Sequence, residues 1–434
     1  DQVQGITWNE FKDQCLARNP VLRSDGYVFR ANKTYILPEN AAGALYTRTT
    51  VTDATGGYTF GDVPKPGNYA LSVQCAGYQP FQERLDLQTD TTRNITLTPS
   101  ASPQPTPQGF VRVVGSEFML NDQRLRFIGM NIRGLVHYGD GALFPVSNPG
   151  HQDIQLNAAR EIGCRVVRVF LANRHRTTEE VANRFAQVLA KIEAHNLYVI
   201  PAFTDFYDNT GCNPRGDERF YQQDSWNNST LNYDFFAGGY RENYLPFVEN
   251  IVQRFRDHKR VFAWELGNEL KAWDANNPAL PELFIQFATT ISNRIRQLDS
   301  NHLITTGVIS ARCAGCNAEQ AARLYRLPNL NFLTSHNYDG DDLENDAPTA
   351  QQVGKPFIIE EAGFKEGDRA QRVNQDLQKW TARGARGYLQ WGLMASNEDM
   401  GDGDRTYGMD HAFHGGDWQR LVDAYRYWAG QINA

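Results

Sequence analysis

The sequence predicts an α/β fold: a (β/α)8 TIM barrel preceded by a small, all-β, sandwich-like domain. Three observations predict it. From residue 110 onward, short apolar runs alternate with amphipathic helical patterns, which means a parallel sheet covered by helices. Eight such units in about 325 residues fit a closed barrel better than an open doubly wound sheet. Upstream, the proline-rich segment "TPSASPQPTPQG", Thr98 to Gly109, divides this region from a stretch with strand-like alternation.

The elements follow in order. Residues 1–39 read as an N-terminal extension with a short amphipathic helix and then an extended stretch. Residues 40–98 alternate polar and apolar side chains and are cut by Gly-Gly, Pro-Gly and Thr-Asp turns, the spacing of a small antiparallel sandwich. Residues 99–109 are a polyproline-type spacer, spanning up to about 35 Å at ~3.1 Å per residue. The barrel domain, 110–434, opens with a β-turn lead-in. Its strands are expected at 125–132, 166–171, 198–203, 261–266, 303–308, 332–335, 356–359 and 387–391. Its helices are expected at 151–164, 177–196, 243–258, 281–298, 318–326, a short piece before 356, 369–383 and 418–432. The helix at 177–196 carries Val181, Phe185, Val188, Leu189 and Ile192 on one face. Gly129-Met130-Asn131 after the first strand forms no glycine-rich cradle, so a dinucleotide cofactor is not expected.

Composition narrows the function classes. The 434 residues carry a net charge of −7, which argues against nucleic acid and anionic membrane surfaces as partners. No run approaches the ~18 apolar residues of a membrane span. The chain starts at Asp1-Gln2-Val3-Gln4, read as a processed mature end or a trimmed start, and a secreted, extracellular location is expected. Aromatic residues make up 12%, with eight Trp, and the acidic balance makes sugar rings the expected stacking partner. Of six cysteines, Cys15 and Cys75 can pair. Cys313 and Cys316 are expected to form a local disulfide rather than a zinc or redox site. Cys164 is expected as a buried free thiol.

In a barrel of this kind, reactive groups sit at the C-terminal ends of the strands. Strand two carries Arg168. Strand three leads into "FTDFYDNTGC". Strand four, "VFAWELGNEL", delivers Asn268 and Glu269. Strand six delivers His336 and Tyr338, strand seven Glu360 and Glu361, and strand eight Gln390 and Trp391. Carboxylates ending hydrophobic strands need partners or a task. Two of them facing at ~5–5.5 Å suit a retaining glycosidase, one as acid/base and one as nucleophile. Arg168 is expected to keep the nucleophile ionised, and mutual repulsion to keep the other carboxylate protonated. Asn268 is expected to bind a sugar hydroxyl, Tyr338 to donate to the nucleophile and Trp391 to floor the sugar site. Strand alternation sends Glu360 and Glu361 to opposite faces. Glu265 is expected to serve hydrogen bonding inside the barrel.

The barrel domain resembles the clan-A glycoside hydrolases of family 5, in particular their endo-β-1,4-mannanase branch. "FVRVVGSEFMLNDQRLRFIGMN", "VFAWELGNE" and "KPFIIEEAGF" carry the resemblance, which covers most of 110–395. It implies Glu269 as acid/base, with Asn268 its neighbour, and Glu361 as nucleophile. The family's Glu-x-Gly pattern selects Glu361 over Glu360. Arg168, His336, Tyr338 and Trp391 match other active-site positions. The implied activity is double-displacement hydrolysis of β-1,4-mannosidic bonds, with no cofactor. A β-glucanase, cellulase or other β-glycanase with the same machinery is the alternative, and a catalytically silent carbohydrate-binding protein the alternative of another class. The upstream segment resembles carboxypeptidase-regulatory-like domains of the CnaB or transthyretin-like type. Thr52-Asp53, Gly57-Tyr58-Thr59-Phe60, Val63-Pro64, Gly67-Asn68-Tyr69 and Gly77-Tyr78 carry that match. Asn19-Pro20 and Ile36-Leu37-Pro38 are weakly LysM-like. This module is read either as a stabilising spacer or as a unit that contacts cell wall or glycan.

The chain departs from the mannanase pattern at Ala362, at Leu270-Lys271 and at Asp339-Gly340-Asp341-Asp342, positions that shape substrate subsites. Trp226, Tyr207 and Trp273 are candidates for sugar stacking. The long segment 206–236 and the segment 397–410 are expected to build the cleft. The acidic stretches 339–346 and 399–404 lack EF-hand spacing and are read as solvated loops or hydroxyl-binding carboxylates, with no metal expected. Asn32, Asn94, Asn227 and Asn228 lie in Asn-x-Ser/Thr sequons.

Overall fold

The computed structural model describes residues 59–60, 63, 65–73, 81–95, 109–136, 149–207, 212–224, 228–271, 279–339, 346–394 and 406–432, with the backbone of 2–3 and 6–7. The chain divides into two compact units, Asp1–Pro103 and Gln104–Ala434. In the first, the strands Gly67–Val73 and Phe81–Leu87 pair antiparallel, from Gly67 opposite Leu87 to Val73 opposite Phe81. Cys15, Cys75 and the LysM-like positions lie outside the described residues.

The second unit is an eight-stranded parallel sheet. Its strands are β1 (Phe127–Asn131), β2 (Val166–Phe170), β3 (Tyr198–Ala202), β4 (Ala263–Glu265), β5 (Leu303–Thr305), β6 (Leu333–Tyr338), β7 (Phe357–Gly363) and β8 (Gly387–Gln390). They are hydrogen-bonded in the order β5-β4-β3-β2-β1-β8-β7-β6. The seam between β5 and β6 is closed by Asn331 N donating to Ile304 O at 2.8 Å and His336 N donating to Ile309 O at 2.9 Å. The ring of strands is therefore continuous. The strands are almost wholly buried because both faces are covered, which is why they read as apolar runs rather than alternating ones.

Helices α1 (Pro149–Ile162), α2 (Thr178–Ala194), α3 (Tyr244–Phe255), α4 (Leu280–Leu298), α5 (Ala318–Tyr325), α6 (Ala347–Val353), α7 (Arg369–Ala382) and α8 (His411–Ile432) alternate with them. Local chemistry sets their starts. Thr177 with Glu180, and Asn317 with Gln320, form reciprocal capping boxes on α2 and α5, each cap worth ~1 kcal/mol. The expected face of α2, from Val181 to Ile192, is buried. Each such side chain contributes roughly 1.5–3 kcal/mol of apolar burial. The lead-in is an antiparallel meander, Arg112–Val114, Glu117–Leu120 and Gln123–Leu125. It plugs the N-terminal end of the barrel with Phe118, whose ring lies 5.1–6.1 Å from those of Phe262, Phe332 and Phe127. The opposite mouth is left for polar groups.

Four expectations are corrected. β6 and β7 run past 335 and 359, because their polar ends stay paired across the barrel mouth. β5 ends at Thr305. α8 begins at His411 rather than 418, so Gly415-Gly416 does not break it. Cys313 and Cys316 are free thiols, as are Cys164 and Cys212. The turn before Cys316 closes with Cys316 N on Ala311 O and Gly315 at φ 92°. That turn sends Cys316 into the core while Cys313 stays half-buried. Burial pushes the Cys316 thiol up to about 12.

Candidate active site

Arg168 stands at the centre of the mouth, fully buried on β2. A buried guanidinium requires acceptors for all five of its N–H groups, and the neighbouring strands supply them. Nε and Nη2 donate to the two oxygens of Glu265 on β4, both at 2.7 Å. Nη1 donates to Asn131 Oδ1 on β1 at 2.9 Å and to Glu361 Oε1 on β7 at 2.5 Å. Nη2 also donates to Asn268 Oδ1 at 2.8 Å. One cation thus ties four strands or their C-terminal extensions to one point.

Beyond β4 the chain turns sharply. Asn268 N donates to Thr204 O and Glu269 N to Gly307 O, both at 2.8 Å. Glu269 takes φ 51°, a left-handed conformation that costs a non-glycine residue roughly 1–2 kcal/mol. Its carboxylate lies against three partners. His336 Nδ1 is 2.8 Å from Oε1, Tyr207 Oη donates to Oε2 at 3.1 Å, and Lys271 Nζ is 4.0 Å from Oε2. Lys271 also donates to Tyr207 Oη at 2.7 Å.

β7 carries a β-bulge. Its register against β6 steps from Ser335 opposite Ile359 to His336 opposite Glu361, and against β8 from Ile359 opposite Tyr388 to Ala362 opposite Gln390. The extra residue is Glu360. A bulge re-aims side chains that strict alternation would separate. The expectation that Glu360 and Glu361 point to opposite faces is therefore corrected: both are buried inside the mouth. Glu360 Oε1 lies 3.8 Å from Arg168 Nε and Oε2 lies 3.6 Å from His336 Nε2. Glu361 receives Arg168 on one oxygen and Tyr338 Oη on the other at 2.5 Å. One donor atom each from Glu269, His336 and Glu361 lie within 4.8 Å of one another. This spacing falls below the ~6.5–9.5 Å of an inverting pair, on the side of a retaining glycosidase. It is also the one convergence of three metal-ligating side chains among the described residues, where Arg168 already supplies positive charge.

The electrostatics separate the two carboxylates. Burial pushes Glu269 up, but the His336 hydrogen bond and charge, with Lys271 and Tyr207, outweigh it and hold Glu269 at about 2. Burial pushes Glu361 up, and the charge of Glu269 adds to this against the pull of His336 and Arg168. His336 is pushed down by burial, yet Glu361, Glu269 and Glu360 together raise it to about 10. Two expectations change. Arg168 does bond Glu361, but its pull is outweighed by burial. Glu269 is not kept protonated by repulsion; His336, one hydrogen bond away, is made the more basic of the two.

Trp391 caps the wall, nearly buried, edge-on to Phe170 at 6.1 Å with the Arg133 guanidinium 5.8 Å from its ring centre. Asn268 bonds Arg168 and donates to Asp205 at 3.0 Å. Tyr207, a candidate for sugar stacking, is half-buried with its hydroxyl on Glu269. Trp226 and Trp273 lie outside the described residues, as do 340–345 and 399–404. At the edges of the acidic stretches, Asp339 faces Arg372 and Lys365 at 3.6 and 4.0 Å, and Asp346 accepts from Ala311 N and Tyr325 Oη. These carboxylates are engaged by protein groups. Sequence reasoning missed Asn131, Asp205 and Lys271 as site residues. Asn131 and Asp205 carry the signal used elsewhere, a polar side chain at or just past the end of a buried strand.

Comparison with known proteins gives two family matches. Residues 36–99 match the carboxypeptidase regulatory-like domain, and residues 129–399 match cellulase (glycosyl hydrolase family 5). The mannan endo-1,4-beta-mannosidase A of Hypocrea jecorina is 25% identical over 377 residues, covering 76% of this chain and 80% of that protein. The probable mannan endo-1,4-beta-mannosidase A of Aspergillus flavus is 24% identical, covering 62% and 75%. Among solved structures, the endo-1,4-beta-mannanase of Rhizomucor miehei aligns with a TM-score of 0.60 at 16% identity, covering 74% of this chain and 99% of its own. That likeness is one of fold.

Proposed function

Since this chain belongs to glycosyl hydrolase family 5, we propose that it hydrolyses β-1,4-mannosidic bonds within mannan-type polysaccharides with retention of configuration. The observation that carries the proposal is the pair Glu269 and Glu361, with donor atoms within 4.8 Å at the barrel mouth, close enough for one carboxyl to act as acid/base and the other as nucleophile. Relatives named as mannan endo-1,4-beta-mannosidases support the substrate.

Glu361, oriented by Arg168 and Tyr338, attacks the anomeric carbon. Glu269 protonates the leaving oxygen with the proton passed from His336 Nδ1. The glycosyl ester on Glu361 removes one negative charge, and Glu269 then takes a proton from water that attacks the same carbon. Asn268, anchored by Arg168 and Asp205, is placed to meet a sugar hydroxyl, and Trp391 to floor the sugar. We place the protein outside the cell, where such polymers occur. We assign residues 40–98 a wall- or glycan-contacting role, supported by the proline-rich sequence that separates them from the barrel domain. Binding of the full chain and of a chain lacking residues 1–98 to insoluble mannan tests that assignment; equal binding removes it.

A panel of mannan, glucomannan, cellulose, β-glucan and xylan, assayed for new reducing ends, tests the substrate. Preference for β-mannans is expected. Preference for glucans assigns the same machinery to a glucanase, and binding without hydrolysis assigns the chain to a silent carbohydrate binder.

A further inference from the structure

Glu360 has no role in the double displacement described above, yet it is fully buried and neither of its oxygens has a hydrogen-bond partner among the described residues. An ionised carboxylate in that state is costly unless it faces positive charge. The bulge that puts it inside is held in place: Asn131 Nδ2 donates to Glu360 O at 2.9 Å while its Oδ1 accepts from Arg168. Asn131 thus locks the bulged backbone to the central cation.

The side chain lies on the far side of His336 from the reacting pair. The imidazole Nδ1 is 2.8 Å from Glu269 and 3.4 Å from Glu361, while Nε2 is 3.6 Å from Glu360. Both nitrogens of one ring face carboxylates. An imidazolium donates from both, whereas a neutral ring donates from one only.

We propose that Glu360 is a positioning residue that keeps the Nε2 proton of His336 in place, so that the proton passed to Glu269 always leaves from Nδ1. In that step the Nδ1–H bond breaks and an O–H bond forms on Glu269 Oε1. His336 becomes neutral with its remaining proton on Nε2, and Glu269 becomes the neutral acid. That proton leaves with the departing sugar, and after deglycosylation the proton that Glu269 takes from the attacking water passes back to Nδ1. Without Glu360, neutral His336 is free to carry its single proton on Nδ1, where it bonds Glu269 but can be given up only by forming an imidazolate. The other charged groups around the ring are Arg168, 3.8 Å from Glu360, with Glu265 behind it, and Lys271, which reaches Glu269 from the solvent side. None of these faces Nε2 as Glu360 does. The inference rests on the proposed roles of Glu269 and Glu361, and the NMR part of its test is independent of substrate.

NMR of isotope-labelled histidine in the full-length protein reads both ring nitrogens of His336 across pH. In the wild type, both are expected to stay protonated until the pH nears about 10, and the neutral ring is then expected to keep Nε2–H. In Glu360→Gln, His336 is expected to titrate roughly one to three units lower. The kcat on mannan is expected to fall on the order of 10–100-fold with KM little changed, and Glu360→Asp is expected to recover part of both. A wild-type neutral ring carrying its proton on Nδ1 overturns the proposal, whether or not the variant folds. So does a folded Glu360→Gln protein with an unshifted His336. A protein that shows the expected titration but cleaves no mannan contradicts the substrate assignment and leaves the placement of the His336 proton intact.

Discussion

Arg168 donates from Nη1 to Oε1 of Glu361 across 2.5 Å, so the buried cation at the barrel mouth is bonded directly to the proposed nucleophile. The same guanidinium holds Glu265, Asn131 and Asn268. Arg168→Met leaves Glu265 and Glu361 buried without their counter-charge, which is expected to cost roughly 3–5 kcal/mol. Arg168→Lys keeps a charge but not the planar fork, and is expected to fold with far lower kcat. Denaturant unfolding and kinetics on mannan check the two.

Tyr338 is the second donor to Glu361, on the oxygen Arg168 does not reach. A hydrogen bond to a charged group contributes about 1.5–3 kcal/mol. Tyr338→Phe is expected to lower kcat by roughly 10–100-fold and the thermal midpoint by a few degrees. A change in KM alone contradicts this placement.

His336 and Glu269 define a window of pH. His336 is raised in the fold to about 10 from 6.5, so its contribution is fully present below about 6.5 and lost as pH rises through about 10. Glu269 is held at about 2 from 4.5, so its contribution is present above about 4.5 and lost as pH falls through about 2. The stability gap between wild type and His336→Gln is therefore expected to be widest between about 4.5 and 6.5 and to shrink toward alkaline pH. Thermal unfolding across pH measures it; a gap that grows toward pH 10 contradicts the pairing.

Gly307 adopts φ +72°, and a Cβ there would press into the Glu265 carboxylate and the Gly267 carbonyl. Gly307→Ala is expected to displace Glu265 from Arg168 and to lower both stability, by more than ~1 kcal/mol, and activity. Gly354 has a similar φ of +69° with nothing within 4 Å. Gly354→Ala carries the backbone strain alone and serves as the control, with activity unchanged.

The barrel was legible because its strands are apolar on both faces and its helices carry 3.6-residue stripes, patterns that survive without knowledge of contacts. The carboxylates at strand ends were legible for the same reason, as polar groups where burial is expected. What was not legible depends on backbone detail. Nothing in "FIIEEAG" announces the bulge that turns Glu360 inward, because a bulge is set by the register of two neighbouring strands. Tyr207 was legible as an aromatic ring of the cleft, but only the fold brings its hydroxyl to Glu269. Lys271 was noted as a departure from a family pattern, but its reach to Tyr207 and Glu269 follows from the left-handed turn at Glu269. The Cys313–Cys316 spacing suggested a bridge because sequence spacing does not report that one thiol enters the core and the other does not.

The most direct measurement is to trap the covalent intermediate with a fluorinated β-mannosyl fluoride and locate the label by peptide mass spectrometry. The double displacement predicts a mannosyl ester on Glu361 and no label in Glu361→Ala, which also loses turnover. A label on Glu360 or Glu265, or a Glu361→Ala protein that hydrolyses mannan at near wild-type rate, contradicts the account.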